Sequence, residues 1–362
     1  NGKIRFDTKF LYFNDYDDEP VAADGYLTWY DAREKNPKRS EYRLYFPTTQ
    51  VSVCAAEGDL LVIGLKPDNT VLLIIAENGS TIANQLIWLF GFNNITHPGF
   101  SIRGELESDQ DKIAFASRTI LEHIGIQVNI SEESYLDEMI HKFGDFFPST
   151  KIFSQYARST LKHIDPCESA DDALIAWLER EEILFRTFER YQLAERLKKG
   201  FSNDVEGFLS FSLSVQNRRK SRIGYALENH LEEIFNSCGV YYSRTKITEN
   251  KSKPDFIFPS VEKYHDNTFN PQLLTMLGVK NTCKDRWRQV LSEADKIEYK
   301  HLLTLETAIS ENQTNEMKDK KLQLVLPRSL HYTYNNSQQS WIIDFNTFIN
   351  VVKEKQKSFN QC

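Results

Sequence analysis

Three residues in the last third of the sequence have types and positions that could do chemistry. Asp255 follows a proline and opens a short apolar run, Lys280 is predicted at the head of a second short strand, and Glu293 lies thirteen residues beyond Lys280. Two carboxylates can hold Mg²⁺, a hard cation that prefers oxygen ligands. A metal ion and an ammonium group together can stabilise negative charge on a phosphate, and the metal can activate water. The set therefore indicates metal-assisted hydrolysis of a phosphodiester bond.

Short elements must bring these side chains to one place. Residues 253–258 and 278–283 are predicted to be strands, because both are short and are bounded by Pro, Gly or polar residues. Residues 284–294 are predicted to form a helix with Arg286, Gln289 and Glu293 on its polar flank. Its buried face is predicted from apolar residues at helical spacing, namely Trp287, Val290, Leu291, Ala294 and Ile297.

The spacing departs from the usual nuclease pattern at one position. That pattern is Pro-Asp, a gap, and then Asp or Glu two residues before a Lys. Here Gly278 stands two residues before Lys280, and glycine has no side chain that could bind a metal. The second carboxylate must come from elsewhere. Glu293 is its predicted source, since a helix that returns along the sheet edge could bring it there.

With Glu293 in this role, the sequence resembles the EcoRII-like type II restriction endonucleases, which cut at CC- and GG-containing sites. In that group the second carboxylate is relocated to this helix. The resemblance extends from about residue 146 to about residue 334 and is weak before that. Four segments carry it: NRRKSR at 217–222, KPDF at 253–256, YHD at 264–266 and VKNTCKDRWRQ at 279–289.

The resemblance implies a fold and a reaction. The fold is the α/β catalytic domain of the PD-(D/E)xK restriction endonucleases, a mixed central sheet flanked by helices. The reaction is hydrolysis of double-stranded DNA that leaves 5′-phosphates, carried out by a homodimer. Asp255 and Glu293 would bind Mg²⁺. Lys280 would orient the attacking water and stabilise the transition state.

The resemblance also adds Glu228 and Tyr264 to the catalytic set. The residues alone leave alternatives open at both positions. Glu232 and Glu233 are as acidic as Glu228, and their pattern places them closer to solvent. Tyr264 lies nine residues after Asp255 and would more often be a packing tyrosine.

Basic residues near these motifs predict contacts with DNA. Lys284, Asp285 and Arg286 are expected to enter the major groove, because Lys and Arg can bond guanine and Asp can accept from cytosine. That chemistry suits a G·C-containing half-site. A solvated charged face remains the alternative for the basic run. The other predicted DNA contacts in this half of the chain are Arg288, Arg218, Arg219 and Arg222.

Residues 1–150 are predicted to form a mainly β, pseudobarrel-like domain. Strands are predicted at 42–47, 60–64 and 71–75, and helices at 79–90 and 110–124. The segment 29–43 is loosely similar to the recognition arms of B3-like DNA-binding domains, and an exposed polar loop is the alternative. Its predicted DNA contacts are Arg33, Lys35, Lys38, Arg39 and Arg43.

This domain is predicted to act as an effector that binds an additional DNA copy or restrains the catalytic domain. Two further parts follow it. Residues 151–200 are predicted to be a linker and a connecting helix at 171–199, with Gly200 as its cap. Residues 201–362 are predicted to be the catalytic domain. It would begin with helices at 204–216 and 221–238 and continue through strands at 301–305 and 322–326.

Composition bounds the remaining possibilities. The chain has 362 residues and a net charge of -7, so any nucleic-acid surface must be local. Five scattered cysteines, the absence of a signal peptide and the lack of long apolar runs predict a cytoplasmic protein without a membrane segment. Two rival functions stay open: a catalytically silent DNA-binding protein, and a repair or structure-selective nuclease of the same fold.

Overall fold

The computed structural model describes residues 3–17, 19–34, 39–90, 117, 120–121, 124–126, 133–161, 164–249, 252–283 and 286–360. These residues fall into two compact units. One lies within Asn1–Leu106 together with Ala308–Gln313, and the other within Glu107–Thr307 together with Thr314–Cys362. Within the described ranges, no helix is long and apolar enough to cross a membrane.

The first unit is built on a mixed sheet with strand order β3-β2-β1-β5-β4. The central strand β1 pairs with β2 antiparallel and with β5 parallel. Apolar residues from β1, β2 and β5 and Val51 of α1 form its core. The elements are β1 Ile4–Phe13, β2 Val21–Asp31, β3 Tyr42–Tyr45, α1 Gln50–Cys54, β4 Leu60–Leu65, β5 Val71–Ala76 and α2 Thr81–Leu89.

Several predictions for this unit are confirmed. The strands expected at 42–47, 60–64 and 71–75 are present as β3, β4 and β5, and the helix expected at 79–90 is α2. The strands β1 and β2 were not predicted. The helix expected at 110–124 lies mostly outside the described residues. Closure of the sheet into a pseudobarrel stays a prediction.

Helices dominate the first half of the second unit. They are α3 Leu136–Phe143, α4 Thr150–Ser159, α5 Ala170–Lys199 and α6 Val205–Ser237. Aromatic side chains of α3, α4 and α5 form one buried cluster around Phe153, Phe185 and Phe188. The predicted connecting helix is confirmed as α5, which Ser169 caps at its start and which ends at Gly200 with φ of 66°.

The two helices predicted at 204–216 and 221–238 are one continuous helix of 33 residues, α6. The prediction of a break was wrong because the intervening residues, Gln216 to Ser221, include no Pro or Gly that would end a helix. The basic run at 218–222 therefore lies within a helix and faces α5 over part of its length.

The second half of this unit carries a mixed sheet with strand order β10-β9-β8-β7-β6. Strands β8, β9 and β10 are parallel, while β7 and β6 are antiparallel to their neighbours. The elements are β6 Ser243–Arg244, β7 Phe256–Phe258, α7 Val261–His265, β8 Thr275–Lys280, α8 Trp287–Leu291, β9 Lys300–Thr304, α9 Glu311–Asp319, β10 Leu322–Val325, α10 Asn336–Gln339 and α11 Phe345–Asn360.

An aromatic core holds this sheet in place. Phe235 of α6 packs against Phe256 and Phe258 of β7 and against Phe345 of α11. All four side chains are at most 1% exposed. Full burial of a side chain of this kind contributes roughly 2 kcal/mol. Strand β8 is buried from Thr275 to Val279 and becomes half-buried only at Lys280. The strand predicted at 278–283 therefore begins and ends three residues earlier, and Lys280 is its last residue and not at its head.

The helix predicted at 284–294 is shorter than expected. It spans Trp287–Leu291, and Ser292 caps its end. Ala294 has a φ of 52°, a left-handed conformation that a helix cannot continue through. Glu293 therefore lies in the turn after α8. The predicted buried face is confirmed for Trp287, Val290, Ala294 and Ile297. Leu291, the fifth residue predicted on that face, is only half-buried.

Candidate active site

Two neighbouring strands bring Asp255 and Lys280 together. Asp255 directly precedes β7, whose residue Phe256 pairs with Leu277 of the antiparallel strand β8. The backbone N–H of Val279 donates to Asp255 Oδ2 at 2.7 Å, and Lys280 Nζ donates to the same oxygen at 3.0 Å. Both bonds engage Oδ2 and hold this carboxylate at the end of β8.

Glu293 shares the electrostatic environment of this pair. Burial raises the pKa of its carboxyl group to about 7, the charge of Lys280 lowers it and the charge of Asp255 raises it. Its Oε2 is buried and has no hydrogen-bond partner among the described residues. A buried carboxylate oxygen without a donor is costly unless a cation or a proton satisfies it. This arrangement fits a metal ligand.

Gly278 explains why the usual carboxylate is missing from β8. A Cβ atom at this position would lie 2.8 and 2.9 Å from the two methyl carbons of Val290. The helix α8 therefore packs directly on the backbone of the strand. A larger side chain at 278 would push this helix away, and with it the turn that carries Glu293.

Glu228 lies on α6, where the charges of Asp255 and Lys280 act on its carboxyl group. Burial raises the pKa of its carboxyl group, a hydrogen bond from Arg244 lowers it, and the charges of Asp255 and Lys280 act on it in opposite directions. The neighbouring Glu233 instead pairs with Arg158 at 3.0 Å.

Glu232 is engaged by two cations. Arg244 Nη1 lies 3.0 Å and Lys151 Nζ 3.2 Å from its Oε2. Glu228 also lies within the influence of the charges of Asp255 and Lys280. Sequence reasoning missed Arg244, because its strand has only two residues and offers no pattern.

Tyr264 is fully buried on α7. Its hydroxyl group donates to Glu249 and accepts a hydrogen bond from the backbone N–H of Lys296 at 3.2 Å. Burial raises the pKa of this hydroxyl group. The described side-chain hydrogen bonds of Tyr264 go to Glu249 and Lys296. None of them goes to Asp255, Lys280 or Glu293.

The described part of the chain contains no group of three or more His, Cys, Asp or Glu side chains arranged to hold a metal ion. Mg²⁺ does not require such a group, because it is commonly bound by one or two carboxylates, waters and substrate phosphates. Asp255 and Glu293 supply two carboxylates, and the partnerless oxygen of Glu293 is the observation that fits a cation.

The predicted base-reading residues are only partly described. Lys284 and Asp285 lie outside the described residues. Arg286 is exposed immediately before α8, and its backbone N–H donates to Cys283 O at 2.7 Å. Arg288 is exposed as well, and its guanidinium pairs with Glu316 at 2.8 Å.

Basic residues at 218–222 of α6 form ion pairs and hydrogen bonds with α5. Arg219 pairs with Glu189 at 2.7 Å. Arg222 is buried beside Glu182 and Glu181. Arg218 donates to Gln192 at 3.3 Å. The structure therefore brings this run against acidic residues of the connecting helix and does not gather it with the candidate catalytic residues.

The predicted arm of the first unit is a hairpin between β2 and β3. Trp29 and Tyr42 stack across it with ring centroids 5.5 Å apart. Arg33 and Arg43 both pair with Glu41 at 2.6 Å. Arg39 is exposed, and Lys35 and Lys38 lie outside the described residues.

A mixed sheet flanked by helices, with Asp255 and Lys280 paired on neighbouring strands, places this unit in the α/β class. Residues 185–349 match the family model described as EcoRII C terminal. The curated type II restriction enzyme EcoRII of Escherichia coli is 42% identical over 206 residues, which cover 56% of this chain and 50% of that protein. The match thus spans about half the length of this relative.

One solved structure supports this fold, and a second aligns less closely. Metal-depleted Ecl18kI in complex with uncleaved DNA aligns with a TM-score of 0.51 and 19% identity, over 64% of this chain and 87% of that chain. The restriction endonuclease PspGI in its substrate DNA complex aligns with a TM-score of 0.48 and 17% identity, over 59% of this chain and 94% of that chain.

Proposed function

We propose that this protein is a type II restriction endonuclease that hydrolyses double-stranded DNA at a short G·C-containing site of the CC…GG kind, leaving 5′-phosphates. The observation that carries the proposal is the convergence of Asp255, Lys280 and Glu293 at one end of the sheet. The family match of residues 185–349 supports it.

Mg²⁺ is the proposed cofactor, with Asp255 and Glu293 as its ligands and Glu228 as a third nearby carboxylate. When bound, the ion would supply charge that stabilises the phosphate and favours ionised water. The protein's own contribution is positional. Asp255 is fixed by the Val279 N–H, and Glu293 is fixed by the packing of α8 against β8.

Lys280 has a separate role in this proposal. Its ammonium group extends from the last residue of a buried strand and is held by Asp255. An ammonium group in this position can orient a water molecule for in-line attack and stabilise the negative charge that develops on the phosphate oxygens. It does so without a change of its own charge.

Sequence reading is proposed for the segment that precedes α8. Lys284, Asp285 and Arg286 would contact base edges in the major groove, where Arg and Lys bond guanine and Asp accepts from cytosine. A homodimer is proposed because a two-fold symmetric site is most simply read by a two-fold symmetric protein.

The first unit is proposed to bind an additional DNA copy or to restrain the catalytic unit. Its hairpin carries the stacked Trp29 and Tyr42, with Arg33, Arg39 and Arg43 nearby. Stacked aromatic and cationic groups suit contacts with bases and phosphates.

The test is cleavage of plasmid and genomic DNA with and without Mg²⁺, followed by run-off sequencing of the ends. Discrete ends with 5′-phosphates at one G·C-containing sequence support the proposal. Binding of DNA without cleavage would indicate a silent DNA-binding protein, and cleavage at lesions or ends would indicate a structure-selective nuclease.

A further inference from the structure

Arg244 makes three hydrogen bonds to one turn of α6. Its Nη2 donates to Glu228 Oε2 at 2.8 Å, and its Nη1 donates to Glu232 Oε2 at 3.0 Å and to Asn229 Oδ1 at 3.2 Å. Because the guanidinium is planar and its N–H groups point in fixed directions, three such acceptors hold it in one orientation.

The strand that carries Arg244 is also joined to the backbone of Asp255. Arg244 pairs with Phe256 in the β6–β7 register, and the N–H of the next residue, Thr245, donates to Asp255 O at 3.0 Å. The relative position of Asp255 and Glu228 therefore depends on this short strand.

The pair of Arg244 and Glu228 is largely shielded from water, with side chains 20% and 19% exposed. Loss of one partner from such a pair leaves the other charge desolvated and without compensation, which is more damaging than loss of an exposed pair. Glu228 without Arg244 would be free to rotate or to accept a proton beside the negative charge of Asp255.

We propose that Arg244 is a positioning residue that holds the Glu228 carboxylate in place beside Asp255 and Lys280. This inference rests on the proposed nuclease function. All three side-chain bonds described for Arg244 go to α6, so it acts through Glu228 and not on DNA. A lysine at 244 would retain the charge but not the planar set of donors, and it should support part of this role.

The experiment compares the full-length parent with Arg244→Met, Arg244→Lys, Glu228→Gln and the double variant Arg244→Met/Glu228→Gln. Single-turnover cleavage of a duplex that carries the site is measured across a range of Mg²⁺ concentrations. Arg244→Met should cleave roughly 10- to 100-fold more slowly, as is typical when a residue that orients a ligand is removed. Arg244→Lys should recover part of that loss, and the double variant should be no slower than Glu228→Gln.

The matched control is Lys151→Ala, which removes the other cation from Glu232 but has no described contact with Glu228. Its rate should stay within twofold of the parent, a margin set by the small worth of an exposed ion pair. The thermal midpoint of every variant is measured to identify loss of folding.

Three outcomes overturn the proposal: Arg244→Met as fast as the parent, a double variant clearly slower than Glu228→Gln, or no recovery by Arg244→Lys in a folded protein. If the parent itself cuts no DNA under any metal condition, the proposed function fails, and this inference fails with it. The parent's own rate therefore separates the two failures.

Discussion

Under the proposed function, substitution of Lys280 should separate DNA binding from chemistry. Lys280→Ala should reduce cleavage at least 100-fold, because loss of a group that stabilises the transition state typically costs about 3 kcal/mol or more. Binding of the specific duplex in the absence of catalytic metal should change little. Lys318→Ala, at an exposed position on α9, is the control. Cleavage by Lys280→Ala within tenfold of the parent would contradict the role.

Substitution of Glu293 tests whether the second metal-binding carboxylate comes from the turn after α8. Glu293→Ala should inactivate the protein, because Gly278 offers no side chain in its place. The measurement is the cleavage rate as a function of Mg²⁺, with Glu228→Ala assayed in parallel. If Glu293→Ala cuts normally while Glu228→Ala does not, the essential ligand lies on α6 and not after α8.

Arg286 tests base reading. Arg286→Ala should lose discrimination at one G·C pair, since a bidentate Arg–guanine contact is worth roughly 1–3 kcal/mol against a wrong base. Competition binding with single-base variants of the site measures this. A phosphate contact would instead weaken binding to every sequence alike and reduce its salt dependence.

Much of the candidate site could be predicted at this scale. Asp255, Lys280 and Glu293 belong to a local pattern, and the missing carboxylate at 278 was itself a signal. Arg244 could not be predicted, because its partners on α6 are chosen by the register of a two-residue strand and by tertiary packing. The ion pairs of Arg222 with Glu181 and Glu182 of α5 could not be predicted either. A basic run in the sequence does not show which acidic helix will pack against it.

At the scale of elements, sequence pattern succeeded where an element has one buried face and clear ends. Helix α5 has an apolar stripe, a capping serine and a terminal glycine, and its limits were predicted closely. Helix α6 was divided wrongly because charge clusters resemble a loop in sequence while a helix accommodates them readily. The end of α8 depends on the left-handed backbone conformation of Ala294. The sequence does not predict this conformation, because alanine rarely adopts it.

Strand β9 supplies a test of stability that is independent of catalysis. Its residue His301 is buried against Phe348, and its Nδ1 has no hydrogen-bond partner among the described residues. Burial lowers the pKa of this imidazole from 6.5 to about 4. The unfolded chain therefore binds a proton between these values while the folded chain does not, and stability falls as pH falls through this window.

The expected size of the effect is roughly 3.5 kcal/mol at most, from about 1.4 kcal/mol for each pH unit between the two pKa values. Denaturant unfolding of the parent and of His301→Gln at several pH values between 4 and 7 measures it. The variant should show a shallower dependence on pH than the parent. His141→Gln, at an exposed position, should keep the parent's slope, and an unchanged slope in His301→Gln would contradict the assignment.

At the scale of the whole molecule, the two units suggest a division of labour. The catalytic part expressed alone should form a dimer and cut the same sequence as the full chain, since the motifs for chemistry lie after residue 221. If the first unit restrains the catalytic unit, a second DNA copy must bind the released state more tightly than the restrained one. The comparison uses one-site and multi-site DNA, with dimerisation measured by sedimentation.

The buried aromatic cluster around Phe153, Phe185 and Phe188 determines the best first residue for this truncated protein. Phe143 and Phe147 pack against Phe153, Phe185 and Phe188 of the helical part. A chain that starts at residue 150 loses these two rings, so a start at residue 133 is the better choice. If that fragment folds but cannot cut, or if the full chain cuts one-site DNA as fast as multi-site DNA, the first unit takes part in recognition and is not a brake.

The contact between Gly278 and Val290 has a consequence for how such sites could change over generations. A carboxylate side chain at 278 would clash with α8 in its present position. Evolution could therefore not add the usual ligand at 278 first and lose Glu293 later while α8 stays where it is. Under the proposed role of Glu293, a first substitution at 278 would displace α8 and the turn that carries this ligand. Passage between the two placements of the carboxylate would then require a coupled change at Val290, whose side chain occupies the space of a Cβ atom at 278.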